Sequence, residues 1–537
     1  MAESLVPSIG LSSRDVVRGG RSLVRGIGVL GATAFGVHCI SLSSSGLLLF
    51  SSVAGYWPGA NLVGVLTIAM VFCLFHAFTY AVMGTLAPRA GADYVVASRT
   101  LSAPLAFIAS WTLVIFSGLV AGSLIALIPQ STIPTFLQIL GTVFNNPSLL
   151  DLAVSAAKPQ GVVIIGTICT VLAFFVTILP QRVVQRVLVF GFILGLLAWG
   201  IIYIQLASAS TGSFQAAWDR FMGPGSYAGR IDLAKSLGMV VNPNPGAVTL
   251  AGLIMGFWIF YGYFIPTYFA GEVKRPERSL LSGSWISLLL TWVIFVVATL
   301  LLQRLVPPAW ISAESYLYVN KYSGLTMPWI VFYSAILQPS LPLVLTVAFA
   351  WIYTLINLVQ TYFFYTSRII LAWADDHMMP EGVAYVHPQL RSPLVTLLIV
   401  AIIAEIGVVD AAQGGAIGSQ LNFVFFAVIT QLVAVSAMIL FPYLKPAWFA
   451  KAPRIVRLKI GKLPVITLIG SITLLYLLWL ILSSFMFPVV AGPIRPASLV
   501  IMVVFLGSGW AWYFLRTRQL KRAGVDMKAV FGSLPEE

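Results

Sequence analysis

The sequence predicts an all-α polytopic membrane protein with about twelve spanning helices, and three observations predict it. Of the 537 residues, 59% are hydrophobic and only 9% charged, against about a quarter charged in a soluble globular protein. Mean hydropathy is +0.95. Apolar runs of the roughly 20 residues that a helix needs to cross a hydrocarbon core of about 30 Å recur along the whole chain. Basic residues cluster after every second run, which is the pattern of a chain threading back and forth. A water-soluble fold is excluded. Three cysteines, Cys39, Cys73 and Cys169, all in apolar stretches, are too few for a disulfide framework or a four-thiolate metal site, so no metal and no cofactor are expected.

Taken in order, the runs fall near 26–56, 61–87, 104–129, 161–179, 185–208, 247–270, 281–305, 337–372, 393–410, 417–443, 463–488 and 495–516; they are called spans 1 to 12. Spans 1 and 8 are longer than a straight crossing requires, which predicts breaks or tilt. The connections at 130–160, 209–246 and 306–336 are long enough for short external helices or lids.

An even count puts both ends on one side. Arg14, Arg18, Arg21 and Arg25 precede span 1, and Arg516, Arg518, Lys521, Arg522 and Lys528 close or follow span 12. With the connections after spans 2, 4, 6, 8 and 10, this side holds 24 of the 31 basic residues. It is therefore predicted to be cytoplasmic, with a multi-pass protein in the cell membrane and both termini inside. The formal charge of +14 then reflects topology. Nucleic acid is not expected as a partner, while contact with anionic lipid stays open. No removable signal peptide is expected ahead of Arg25.

A membrane helix hides its polar backbone by internal bonding, so helix-weakening residues inside a span point to a protein-lined cavity. Span 1 carries Ser41-Leu42-Ser43-Ser44-Ser45-Gly46. Span 6 carries Gly256-Phe257-Trp258-Ile259-Phe260-Tyr261-Gly262-Tyr263-Phe264-Ile265-Pro266, where the ring of Pro266 conflicts with the Gly262 carbonyl in a regular helix. Taken singly, each segment reads equally as close helix packing or a proline kink. Together they open two successive five-span blocks, and five is odd, so the second block enters from the opposite face. Interruptions at corresponding positions of inverted halves point to a midplane binding site of a transporter.

After span 2 stands Pro88-Arg89-Ala90-Gly91-Ala92-Asp93-Tyr94-Val95, running on to Ser98-Arg99. After span 6 stands Gly271-Glu272-Val273-Lys274-Arg275-Pro276-Glu277-Arg278-Ser279. Span 8 ends in Ser367-Arg368, followed by Asp375-Asp376-His377-Met378-Met379-Pro380, His387-Pro388 and Arg391-Ser392-Pro393. These resemble the PR-x-G-G-x-Y, G-E-x-K-x-P-x-R and S-R…D…P…H-P…S-P signatures of the amino acid-polyamine-organocation superfamily, over about residues 20 to 518. The resemblance implies a leucine-transporter-type fold. It comprises a tail at 1–25, a first five-helix repeat at 26–208, an inverted second repeat at 247–443, two appended helices at 463–516, and a tail at 517–537. The signature residues themselves read as topology signals and helix caps.

The resemblance also implies a secondary active permease or exchanger that moves amino acids or related amines by alternating access. The substrate carboxylate would meet free amides of the broken first helix, and the amine would meet carbonyls at both breaks. Carried over residue by residue, this assigns substrate binding to Ser43, Ser44, Ser45 and Gly46, with Phe257, Trp258, Tyr261 and Gly262 from span 6. Serine replaces the family's first glycine at Ser44. Trp258 is the expected gate, contributing about 0.5 to 2 kcal/mol if it faces the amine, and the aromatic wall suggests an apolar or aromatic substrate side chain. The family's frequent glutamate two residues past the glycine is Phe264 here. Span 5 lacks the lysine through which many relatives carry a proton. His38, Thr354 and Glu405 are the candidates for coupling to a proton or sodium, each with an ordinary interhelical reading as well. His76, Asn357, Gln360, Asn422 and Gln431 read as interhelical hydrogen-bonding groups. The competing functions are a polyamine or organocation carrier and a membrane-embedded transferase, whose nearest acid-base cluster would be Asp375, Asp376 and His377.

Overall fold

The computed structural model describes residues 23–324, 330–487 and 494–532. Arg14, Arg18 and Arg21 lie outside the described residues, as do most of the expected N-terminal tail and the last five residues. Among the described residues, ten helices are long and apolar enough to cross a membrane, and one bent helix pair passes the same test as a unit. That pair is span 1, in which Val29–Ile40 and Ser44–Tyr56 meet at 42°. Span 6 is the shorter apolar helix Pro245–Phe260. It is followed by turns and by 3₁₀ segments at Ile265–Tyr268 and Ala270–Glu272.

The other spans are Leu62–Leu86, Ala103–Val143, Pro159–Thr177, Gln181–Ser208, Pro276–Leu305, Leu341–Asp375, Leu394–Ala412, Phe423–Leu444, Val465–Met486 and Pro496–Arg522. Span 3 runs 14 residues beyond its predicted end at 129, reaching Val143. Pro129 and Pro134 each remove a backbone donor there, and the helix absorbs the loss by widening into a π-helical segment over Ile128–Thr132 instead of stopping. A second π segment, Leu49–Val53, lies in the second half of span 1. The long connections hold short helices, at Pro147–Ala157, Thr211–Met222, Ser226–Ser236, Pro308–Val319 and Ile330–Leu337.

Small residues bring the backbones together. Spans 3 and 9 cross at Gly122 and Gly407: a Cβ on Gly122 would collide with the Ala404 carbonyl, and one on Gly407 with the Leu119 carbonyl. Without water to drive association in a bilayer, such close backbone contact is what holds helices together. Spans 11 and 12 lie at the edge and leave Leu475, Leu482, Val500 and Val503 more than half exposed.

One face of the bundle gathers the start of span 1, the ends of spans 6, 8 and 12, and the short helix Ala92–Thr100. Arg368 meets Glu272 there, Arg516 donates to the His377 carbonyl at 2.9 Å, and Phe531 of the short helix Met527–Phe531 lies against Arg99, 5.2 Å from guanidinium to ring centre. It is called the terminal face below.

Candidate functional site

The two interruptions meet. The first half of span 1 ends at Ile40, and Ser41 takes φ 68°. The break covers Ser41–Ser43, the first half of the Ser41–Gly46 run that the sequence marks as helix-weakening. Span 6 ends at Phe260, and Gly262 has φ 129°. A Cβ on Gly262 would sit 2.5 Å from the Cys39 carbonyl carbon and 2.7 Å from the Ile40 nitrogen. Only glycine fits there, because both the left-handed backbone and the facing main chain forbid a side chain.

The ends of Val29–Ile40 and Pro245–Phe260 and the start of the second half of span 1 at Ser44 therefore converge in one place, leaving orphan amides and carbonyls within the bundle. The Ser44 amide donates to Ser41 Oγ at 3.0 Å and the Ser45 amide to the Ser41 carbonyl at 3.2 Å. Of the amides in the Ser44–Gly46 trio, that of Gly46 has no acceptor among the described residues. Ser45 Oγ donates to the Ile40 carbonyl, and the indole of Trp199 in span 5 donates to the Leu42 carbonyl at 3.2 Å.

A cavity of about 650 Å³ leads from the breaks to the face opposite the terminal one. Ser44, Ser45, Trp258 and Tyr261 line it. Trp258 and Tyr261 stack at 4.9 Å, and Phe423 of span 10 lies 5.2 Å from Trp258. Four other assigned residues do not line it. Ser43 faces Thr354 of span 8, with 3.4 Å between hydroxyls. Gly46 abuts Trp199 and Phe295. Phe257 packs edge-on against His76 and Tyr261, and Gly262 is spent on the contact between the breaks.

The coupling candidates divide. Thr354 is at the break, but its hydroxyl donates to the Ala350 carbonyl at 2.9 Å. His38 is tethered through Nε2 to the Leu188 carbonyl at 2.7 Å, with Asn357 Nδ2 3.5 Å away. Glu405 accepts from Thr167 of span 4 at 2.5 Å and is not in the cavity wall.

Sequence reasoning missed much of the wall: Cys39, Tyr362, Phe423, and Ser123, Gln130 and Ser131 of span 3. Both π segments contribute, through Ser51 and Ser52 and through Gln130 and Ser131. Segments of this kind recur at functional sites because they turn side chains out of the regular helical stripe. The rim away from the terminal face carries Tyr56, Tyr318, Lys321 and Asp410. Asp410 folds its own loop by accepting from the Ile417 and Gly418 amides at 2.8 and 2.7 Å. The connector helix Pro308–Val319 covers the second half of span 1: Ser315 donates to the Phe50 carbonyl in the π segment, and the neighbouring Glu314 is buried against Arg230. Burial pushes the Glu314 carboxyl above its ordinary range, although Arg230 opposes this.

Towards the terminal face the same breaks are sealed. The amides of Gly26 and Ile27 both donate to the Glu272 carbonyl, at 2.9 and 3.0 Å, and the Lys274 amide donates back to Ile27 at 2.8 Å. Arg368 Nε lies 2.8 Å from Glu272 Oε1. Arg99 clasps Asp376 through two bonds of 2.6 Å. Burial works against the Arg99 charge, but Asp376 outweighs it and holds the guanidinium above its usual pKa. The signature residues thus do more than cap helices, since Glu272, Arg368, Arg99 and Asp376 pair with one another across the seal. Asp376, the middle of the supposed acid-base cluster, is committed to Arg99, and no three His, Cys, Asp or Glu side chains among the described residues gather as a metal would need.

Comparison with known proteins agrees with this geometry. The amino acid permease family model matches residues 27–523. The branched-chain amino acid permease BcaP of Bacillus subtilis is 22% identical over 93% of this chain and 95% of its own length. The large neutral amino acids transporter small subunit 2 of Rattus norvegicus is 24% identical over 92% and 82%. The vacuolar cationic amino acid transporter 2 of Arabidopsis thaliana is 21% identical over 73% and 56%. The chain belongs to the amino acid permease family, within the amino acid-polyamine-organocation superfamily, and amino acid transport across a membrane is its function.

Proposed function

We propose that this permease is a secondary active transporter or exchanger for neutral amino acids with large apolar side chains, working by alternating access around the paired breaks. The contact of Gly262 with the main chain of Cys39 and Ile40 carries this reading. It sets the carbonyl-bearing end of Val29–Ile40 and the amide-bearing start of Ser44–Tyr56 around one point. Those opposed partial charges suit the amine and carboxylate of a zwitterion. Ser44 and Ser45, which line the cavity, carry the amides we assign to the carboxylate, exchanging their Ser41 bonds for substrate. Trp258, Tyr261, Tyr362 and Phe423 would receive the side chain. The cavity carries its charges, Lys321 and Asp410, only at the rim, which favours an uncharged side chain over a cationic one.

In this assignment the terminal face is cytoplasmic, both termini lie inside the cell, and the eleven crossings counted above become twelve with span 6. The sealed terminal face and the open cavity opposite then correspond to an outward-facing state. His38 and Glu405 act as interhelical tethers. Thr354 remains the coupling candidate at the break.

Proteoliposomes preloaded with unlabelled leucine should take up labelled leucine by exchange, with lysine competing poorly. Trp258→Ala should raise KM about two- to thirteenfold, the loss of one stacking contact worth about 0.5–1.5 kcal/mol. Equal competition by lysine would remove the substrate class, and an unchanged KM in the variant would remove Trp258 from the site.

A further inference from the structure

Outside the transport cavity the terminal face holds a second concavity of about 530 Å³, between the start of span 1 and the start of span 5. Arg25, Arg182, Arg186 and Lys274 bring four positive charges to its wall, Gln181 and Gln185 add amides, and Val189, Phe190 and Ile193 form an apolar end. Arg182, Arg186 and Lys274 have no ion-pair partner among the described residues. The two chemistries are stacked along one helix. Arg182, Arg186, Phe190, Ile193 and Leu197 recur at intervals of three and four, so they share one face of Gln181–Ser208. Phe190, Ile193 and Leu197 are each more than half exposed. On a spanning helix this face passes from guanidinium groups at the membrane boundary to a bare apolar stripe at hydrocarbon depth.

We propose that this groove binds an anionic phospholipid, its phosphate among Arg25, Arg182, Arg186 and Lys274 and an acyl chain along Phe190, Ile193 and Leu197. A soluble phosphate would satisfy the cations but leave the apolar stripe idle. The chain's own residues 1–22 are a poor occupant, because Arg14, Arg18 and Arg21 outnumber Glu3 and Asp15. The groove adjoins the seal: Gly26 belongs to its wall, and its amide donates to the Glu272 carbonyl. Gln181, also in the wall, reaches Glu272 Oε2 at 3.1 Å. A bound headgroup therefore fastens the starts of spans 1 and 5 to the segment after span 6.

Thermal unfolding of the purified protein, titrated with phosphatidylglycerol or phosphatidylcholine in mixed micelles, tests this without reference to transport. Phosphatidylglycerol should stabilise the protein, and phosphatidylcholine should not. Arg182→Gln with Arg186→Gln should need on the order of thirtyfold more phosphatidylglycerol for the same stabilisation, as two boundary cations are lost. Arg454→Gln with Arg457→Gln, on an exposed loop elsewhere, should titrate like the unaltered protein. Glycerol phosphate and inorganic phosphate should have no effect at the same concentrations. An unshifted titration in the Arg182 and Arg186 variant, an equal shift in the Arg454 and Arg457 control, or equal stabilisation by glycerol phosphate would each overturn the proposal. Should the glutamine pair fail to fold, rising ionic strength must weaken the phosphatidylglycerol effect on the unaltered protein. An effect indifferent to salt would equally refute it.

Discussion

Towards the terminal face the paired breaks are covered by two buried carboxylate–guanidinium pairs and three backbone hydrogen bonds. Towards the other face they open on serine hydroxyls and aromatic rings. The two coverings differ in how they fail. Hydroxyls exchange protein partners for water at little cost, so a wall of them tolerates being wet or dry. A buried ion pair is held only while both partners stay together, since either one left alone in the bundle is heavily penalised. The terminal seal should therefore behave as one unit that is shut or broken, and the opposite wall as a surface that adjusts by degrees.

The largest expected effect comes from breaking that unit. Arg368→Ala leaves Glu272 buried without its guanidinium, a change that costs about 3–5 kcal/mol. The Gly26 and Ile27 amides hang on the same residue's carbonyl, so the start of span 1 should loosen with it. A lowered unfolding temperature is expected, together with labelling of the cavity thiol Cys39 by a polar reagent applied from the terminal side. Unaltered melting with unaltered labelling would mean that the seal lies elsewhere.

The asymmetry was partly legible beforehand. Four serines and a glycine at 41–46 and the Gly262–Pro266 spacing weaken a helix whatever surrounds them, so both breaks could be read locally. Their exact positions could not. Ser41 is the serine with positive φ, directly after the Cys39–Ile40 main chain that Gly262 of span 6 faces, and that contact lies 222 residues away in the sequence. Tyr362, Phe423 and Ser123 looked like ordinary residues of apolar helices, since helix rotation is set by neighbours such as the Gly122 and Gly407 crossing. The pairing of Glu272 with Arg368 joins positions 96 residues apart, and no single-chain pattern marks that.

Asp93 sharpens the comparison, being a buried carboxylate beside the seal that accepts from the Tyr94 amide at 2.6 Å. Burial pushes its pKa up to about 6, against hydrogen bonds that pull it down. Because the folded value lies above the unfolded one, its protonated form is favoured by folding. The associated stability is complete below about pH 4 and is lost as pH rises through 6, a swing of roughly 3 kcal/mol. Asp93→Asn should therefore raise the unfolding temperature at pH 7.5 and flatten its dependence between pH 4 and 6. A variant with the same pH profile as the unaltered protein would show that Asp93 is compensated by a partner outside these contacts.

Gly262 lies between the two regions, where it holds the breaks together. Alanine there would place a methyl 2.5 Å from the Cys39 carbonyl carbon in a backbone at φ 129°. Such strain costs about 1–3 kcal/mol, or roughly a five- to 150-fold loss of exchange rate if it falls on the transition between states. Gly200 in span 5 is the control, because a Cβ there meets nothing within 4 Å and alanine should leave exchange intact while favouring the helix slightly. The contrast separates two explanations of slow transport. A general loss of glycine flexibility would slow both variants, whereas contact between the breaks predicts that only Gly262→Ala is slow. Exchange at full rate in Gly262→Ala would show that the half-helix ends need not touch, and the zwitterion site would then have to be built from side chains alone.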